Sequence, residues 1–430
     1  MNLRLIVMIF WLEMRKQMIL FIFASSYPFD AAVEQTFLGV EVKHLCNQFD
    51  RVILVPKSSK GNRLTVPTGV EVDESFARSF TWINRAIYAA LSVFSPYFYQ
   101  DIKRKWPASF HWYYLLRLAA FLAGTKITRK WLKHRFETEK ISPRECVFYS
   151  FWFDEVITGI GMSKGDYPDI RLVSRTHGYD LYEEIYGVWP CRYEAISLLD
   201  GLFPDSDAGE VYLKKKYSEF AGVYQTALLG VPDFGGISRA SDDRVFRIVS
   251  CALIHPVKRL DLLMEGISVA ARMQPEQRFE WRHYGNGDAR DEYQQKVKTV
   301  FPSNAVGIFP GYTTQDDLVH EYLSTPVDVF MNVSKTEGTP VSVMEAISCG
   351  IPVIATAVGG NVEIVSEKNG LLLQDNPSPE EIAQSILWAV DHHEEMVEKR
   401  RGSRDVWHDR YNASRNYQRF AERISEIRRK

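Results

Sequence analysis

Two doubly wound α/β domains are predicted for this chain from three observations. Short apolar runs recur along its 430 residues and alternate with helical patterns. The runs are too continuous in Val, Ile, Leu and Phe for strands with one wetted face, which points to buried parallel sheets. A polar, glycine-containing joint near the middle separates two such series.

The elements follow in order. Residues 18–24 predict the first strand, with a turn at Ser25-Ser26-Tyr27-Pro28 and then a helix carrying Leu38, Val42 and Leu45 on one face. Residues 51–56, with Val52, Ile53, Leu54 and Val55 in succession, predict a second buried strand. Residues 81–136 are aromatic, basic and helical with no strand signal, so they are read as an insertion between strands. Strands resume at 146–150 and 169–174, and Leu228-Leu229-Gly230-Val231-Pro232 closes the half. Gly235-Gly236-Ile237-Ser238 with Ser241-Asp242-Asp243 marks the joint, giving domains 18–234 and 235–405. The second series holds strands at 246–251, 279–284, 327–333 and 352–356, and a helix carrying Leu260, Leu263, Met264 and Ile267. In residues 406–430, Tyr417, Phe420, Ile424 and Ile427 recur at helical spacing and predict a docked final helix. Residues 1–17 read as an N-terminal appendage. Their apolar run is broken by Glu13, Arg15 and Lys16, so a secretory leader is not expected. No stretch has the 18 or so uncharged apolar residues of a membrane span.

Composition narrows the function. Fifty-two Lys and Arg against 54 Asp and Glu leave a net charge of −2, too balanced for a nucleic-acid partner. The five cysteines are scattered without a C-x-x-C pair, which excludes a zinc ribbon and fits free thiols in a reducing, cytoplasmic setting. The balance hides one excess: residues 101–135 carry nine Lys or Arg and one acid, interleaved with Trp106, Trp112, Tyr113, Tyr114, Phe121 and Trp131. An anionic membrane surface is therefore a candidate partner through residues 103–135, on the inner face of a membrane. The plainer reading is a helical pair packed on the first domain.

Chemistry concentrates around residues 327–352. A strand is predicted to end at Val333, a loop holds Glu337 and Gly338, and a helix opens with Thr339 as N-cap and Pro340 in its first turn before Gly350 ends it. Glu345 then lies about one and a half turns inside that helix. Free N–H groups at such a helix start suit a phosphate, and two carboxylates beside it suit sugar hydroxyls. Tyr284-Gly285-Asn286-Gly287 follows a strand as a tight turn and lacks the third glycine of a dinucleotide fingerprint.

The segment from Glu337 to Glu363 resembles the signature of the family 4 glycosyltransferases, retaining enzymes of the GT-B fold, in which two Rossmann-like domains face a cleft. Its E-G-x-P-x-x-x-x-E-A core stands here as Glu337-Gly338-Thr339-Pro340 through Glu345-Ala346, and Gly359-Gly360 follows the next strand. The resemblance implies that Glu337 contacts the donor sugar, that the backbone of Gly338, Thr339, Pro340 and Val341 lines the sugar and diphosphate, and that Glu345 holds the ribose. Upstream, Lys258 matches the family's diphosphate lysine. Leu253 stands where many members have an arginine, and Arg259, where a glycine is usual, is a candidate substitute. Gly285 and Asn286 match the turn near the nucleotide. In the first domain, His177 in Ser174-Arg175-Thr176-His177-Gly178 matches the loop that faces the donor sugar, while Tyr27 and Glu34 are the acceptor-side candidates. By the same resemblance His177, Lys258 and Glu337 carry the catalysis.

The implied activity is transfer of a sugar from a nucleotide-sugar to a hydroxyl of a glycan or lipid-linked glycan, as in surface polysaccharide synthesis. The nucleotide-sugar is a co-substrate, and neither cofactor nor metal is expected. The alternatives are a sugar phosphorylase, a nucleotide-sugar epimerase, or a membrane-associated homologue without turnover.

Overall fold

The computed structural model describes residues 18–30, 34–105 and 111–427. The appendage 1–17, Ala31, Ala32 and Val33, and Trp106 lie outside the described residues. Two compact units result: Met1–Leu228 with Tyr417–Lys430, and Leu229–Asn416.

The first unit is built on six parallel strands: β1 (Ile19–Ala24), β2 (Arg51–Pro56), β3 (Val70–Val72), β4 (Cys146–Ser150), β5 (Arg171–Thr176) and β6 (Gly201–Pro204). Their order is β3-β2-β1-β4-β5-β6. The apolar runs read from the sequence are the central strands, and β1 and β4 are buried along their whole length. Strand β5 runs two residues beyond the expected 174, which brings His177 directly after it. The outer strands β3 and β6 carry no continuous apolar run and are absent from the sequence reading.

The second unit repeats the plan with β7 (Val245–Cys251), β8 (Arg278–Tyr284), β9 (Ala305–Gly311), β10 (Val329–Asn332), β11 (Val353–Thr356) and β12 (Gly370–Leu373), in the order β12-β11-β10-β7-β8-β9. Each sheet thus reverses direction once, between β1 and β4 in one and between β7 and β10 in the other. Loops at the carboxyl ends of the strands flanking such a reversal splay apart and leave a crevice.

Among the described residues the insertion holds four α-helices and no strand: Ser75–Ser79, Trp82–Leu91, Pro96–Arg104 and the 28-residue Trp112–Glu139. The long helix turns Tyr114, Phe121 and Trp131 inward, where Trp131 packs edge-on against Phe21, Phe23 and Phe76. Three of the aromatics in the basic stretch are therefore core, while Trp112 and Tyr113 stay exposed. No described helix is long and apolar enough to cross a membrane.

The break between units falls after Leu228 rather than at the Gly235 joint, because Val231 pairs with Asn412 and accepts from the Trp407 indole N–H at 3.1 Å. From Tyr417 the final helix, Ala413–Ile427, belongs to the first unit. Phe420 packs there on Tyr149 and Phe203, beneath the Arg175 guanidinium. Arg175 and Glu41 form a fully buried pair at 2.6 Å, with the Tyr149 hydroxyl donating to the same carboxylate at 2.6 Å. Burial alone disfavours both charges, so this triad holds only because each member satisfies another.

Candidate functional site

In the second unit the loops after β7 and β10 flank the reversal. The loop after β7 turns through Pro256–Lys258, and its Val257 carbonyl accepts from the Lys335 N–H of the loop after β10 at 2.8 Å. This contact delivers Lys258 to Glu337. The ammonium donates to Glu337 Oε1 at 2.6 Å, and the same oxygen accepts from Ser334 Oγ at 2.6 Å and Asn332 Nδ2 at 3.0 Å. Three donors on one oxygen fix the carboxylate and leave Oε2 without a hydrogen bond among the described residues. Asn332 and Ser334 went unnoticed in the sequence because isolated polar residues at a strand end carry no spacing signal.

The helix after Glu337 is Val341–Ser348. Pro340, rather than Thr339, occupies the N-cap, with extended backbone and no side chain capping the first turn. The leading N–H groups are thus left for another acceptor. Gly350 ends the helix in the left-handed region at φ +72°, as the sequence suggested. The Gly359-Gly360 pair lies against the Glu337 loop. A Cβ on Gly359 would sit 1.8 Å from the Glu337 carbonyl oxygen, and the Gly360 N–H donates to the Gly338 carbonyl at 2.8 Å. Only glycine permits this approach, so the pair sets the shape of the loop bearing Glu337, Gly338 and Thr339.

Gly285, after β8, has a comparable role. At φ +140°, a Cβ there would lie 1.8 Å from the Ala252 carbonyl, and the Asn286 carbonyl accepts from the Ile254 N–H at 2.9 Å. The turn thus braces the loop that carries Lys258.

Glu345 is buried on the helix and accepts from the Gln315 amide. Burial pushes its carboxyl up to about 7, against the partial relief of that bond. It is a carboxylate short of donors, which hydroxyls of a ligand would supply. Gln315 opens the helix after β9, an element the sequence did not reveal.

Arg259 has a different task from the one expected. Its backbone is left-handed at φ +51°, which explains why glycine is usual in the family at this place. Its guanidinium donates to the carbonyls of Val333 at 2.6 Å and of Ser334 and Asp375 at 2.9 Å, and to Asn376 at 3.1 Å. It ties three loops together instead of presenting a free head.

The first-unit candidates stand in the other unit. His177 follows β5 and is buried, with Nδ1 3.0 Å from Asp205 and Nε2 3.0 Å from the Phe151 carbonyl. Burial disfavours its charge, but Asp205 and Asp180 outweigh this and raise its pKa. Two acceptors on two ring nitrogens favour imidazolium and occupy both positions. Glu34 accepts from the Ser26 and Tyr27 N–H groups at 2.9 and 3.2 Å, holding the turn after β1, and Tyr27 is buried beside it. A cluster the sequence did not flag joins the loops after β2 and β4: Lys57 bridges Asp154 at 2.7 Å and Glu155 at 3.0 Å. Burial lifts Asp154 to about 6 despite that ammonium.

Among the described residues one group offers three ligand atoms to a metal, namely Asp101, Cys191 and Glu194 in the first unit. Asp101 already accepts from the Tyr114 hydroxyl and the Cys191 N–H, and Glu194 pairs with Arg104 at 3.2 Å.

Residues 245–392 match the family described as Glycosyl transferases group 1. The match falls within the second unit. Similar curated proteins include the GtfA component of the UDP-N-acetylglucosamine–peptide N-acetylglucosaminyltransferase of Streptococcus parasanguinis, 25% identical over 37% of this chain and 30% of that protein. Another is the mannosylfructose-phosphate synthase of Agrobacterium fabrum, 28% identical over 31% of this chain and 30% of that one. The chain thus spans 30% of the length of each of these relatives. Among solved structures, sucrose-phosphate synthase of Thermosynechococcus elongatus superposes with a TM-score of 0.65 at 14% identity, covering 96% of this chain and 99% of that one. The Anabaena protein HepE in complex with UDP gives 0.59 at 14%, covering 95% and 100%. These likenesses establish the GT-B fold for the chain, and Lys258, Glu337 and Glu345 all lie within the residues that match the family.

Proposed function

We propose that this protein is a retaining, metal-independent glycosyltransferase of the family 4 type. It moves a sugar from a nucleotide-sugar to a hydroxyl of a glycan or lipid-linked glycan, at an anionic membrane. The observation that carries the reading is the Lys258–Glu337 pair at the sheet reversal, beside a helix start that no side chain caps and a glycine pair that shapes the loop. The charges match the chemistry. Breaking a sugar–phosphate bond builds negative charge on the departing diphosphate, which Lys258 and the N–H groups of helix Val341–Ser348 are placed to stabilise. Glu337, fixed through one oxygen, keeps the other for sugar hydroxyls. Glu345 takes the ribose hydroxyls, whose donation satisfies its under-partnered carboxylate. In retention the acceptor oxygen attacks from the face the diphosphate leaves, and its proton passes to that phosphate oxygen. The HepE complex with UDP makes UDP-sugars the first donors to try.

The test is thermal stabilisation by UDP-, GDP-, ADP-, dTDP- and CMP-sugars, followed by product analysis with a lipid-linked glycan in EDTA. One donor class should raise the melting point, since ligand at a hundred times its Kd adds about 2.7 kcal/mol. The product should keep the donor's anomeric configuration. No shift with any donor, inverted product, or activity abolished by EDTA would each overturn the corresponding element of the reading. Turnover of donor without acceptor would point instead to an epimerase.

A further inference from the structure

The helical insertion carries an apolar face that no described residue covers. Helix Trp82–Leu91 is well formed, with Thr81 capping it by accepting from the Asn84 N–H at 3.2 Å, yet it buries none of its residues. Ile83, Ile87 and Leu91 recur every four residues on one stripe and are each 51% exposed. Trp82 and Phe94 stand at its two ends, 78% and 80% exposed. A contiguous patch of this size marks an interaction surface on a protein of otherwise ordinary composition.

The charges beside the stripe identify the partner. Arg85 lies on the same helix, and the adjoining helix Trp112–Glu139 exposes Lys126 and Lys130. Lys130 donates to the Tyr88 hydroxyl at 2.6 Å, which holds this cation next to the apolar helix. Residues 75–135 contain eleven Lys or Arg and a single acid, Asp101, which is fully buried and already bonded. A pocket of about 390 Å³ continues from the stripe, sharing Leu91 and Phe94 with it and bounded by Leu122, Met162, Lys126 and Arg129. Apolar ridge and flanking cations, with one exposed acid, Asp166, 3.5 Å from Arg129, complement an anionic bilayer, whose phosphates lie just above its acyl chains. A second copy docked on the same face by a two-fold axis would set these cations against their own kind.

We propose that Trp82, Ile83, Ile87, Leu91 and Phe94 seat the protein in the headgroup boundary of an anionic lipid bilayer, with Lys126 and Lys130 on the lipid phosphates. This rests on the membrane reading given above and moves the contact from the aromatics of residues 103–135, three of which are buried, to the neighbouring helix.

The experiment is co-sedimentation of the full chain with phosphatidylcholine vesicles, with and without phosphatidylglycerol, for the parent, Ile83→Ser/Ile87→Ser/Leu91→Ser, and Lys126→Glu/Lys130→Glu. All five positions are exposed, and circular dichroism checks the fold. The parent should bind only the anionic vesicles and be released by high salt, and each variant should lose about tenfold or more in partitioning. A parent that ignores both vesicles, or a triple-serine variant that binds like the parent, overturns the proposal. So does a parent dimer that the triple substitution converts to monomer, which would make the face a protein interface. Donor-induced stabilisation, read on the same samples, depends on the second unit, so failure of the glycosyltransferase reading is recorded separately.

Discussion

Glu345 is predicted to cost the fold stability at neutral pH, and Glu345→Gln should reveal this. The ordinary carboxyl value is 4.5 and burial lifts Glu345 to about 7. Between these values the unfolded chain has released its proton while the folded protein still holds one. Stability must therefore fall as pH rises through that window, by about 1.4 kcal/mol for each unit, or about 3 kcal/mol in all. Glutamine keeps the shape and still accepts from Gln315, but has no proton to lose. The variant should match the parent near pH 4.5 and exceed it above pH 7 by up to about 3 kcal/mol, which is several degrees in Tm for a unit of this size. Urea unfolding of both proteins at pH 4.5, 6 and 8 reads the difference. The same substitution should abolish donor-induced stabilisation, since an amide is a poorer acceptor for two hydroxyls than a carboxylate. A variant that is less stable at pH 8, or a difference that does not change with pH, would refute the argument that burial holds this carboxyl protonated.

Three further outcomes are expected. Glu41→Ala strands the buried Arg175 charge and the Tyr149 hydroxyl, and should cost about 3–5 kcal/mol by chemical denaturation, whereas replacing Glu41 and Arg175 together with apolar residues should recover most of it. Gly359→Ala places a methyl against the Glu337 carbonyl, so donor stabilisation should vanish while the circular dichroism spectrum is retained. Lys258→Met should lower kcat about 10²- to 10³-fold with a smaller effect on donor Kd, because its charge matters most as the diphosphate departs; equal loss in both would make it a binding residue only.

What the sequence made legible was what burial and backbone geometry dictate. Strands with apolar residues on both faces, such as β1, β2, β4 and β7, announce themselves, since no other element needs an unbroken run of that length. Edge strands do not. In β9 the residues alternate between buried and exposed, and β3 has only three residues, none of them buried. The glycines were informative for the same reason: Gly285, Gly350 and Gly359 sit at positive φ, and two of them face a carbonyl with no room for a side chain. Charged side chains were harder to place. Their sequence positions say little about which oxygen they reach, so Arg259 was expected at a ligand and stands on carbonyls, and Glu41 and Arg175 gave no sign of meeting in the core.

The fate of Arg259 bears on how the site would manage charge. With its guanidinium committed to Val333, Ser334 and Asp375, and Leu253 exposed where an arginine is usual, the loop after β7 presents one ammonium, that of Lys258, and this is paired with Glu337. The pair is neutral as it stands. A diphosphate entering beside it can draw on the ammonium only in competition with the carboxylate. The rest of the stabilisation then has to come from N–H dipoles at the start of helix Val341–Ser348, whose positions Gly359 and Gly360 fix through the loop. Backbone dipoles need no counter-ion and do not reorganise as charge develops, so a loop held rigid by three arginine-to-carbonyl bonds supports the reaction without the arginine reaching the substrate. On this argument Arg259 acts through position: Arg259→Lys, which keeps the charge but breaks the fork, should disorder the loop and weaken donor binding almost as much as Arg259→Ala.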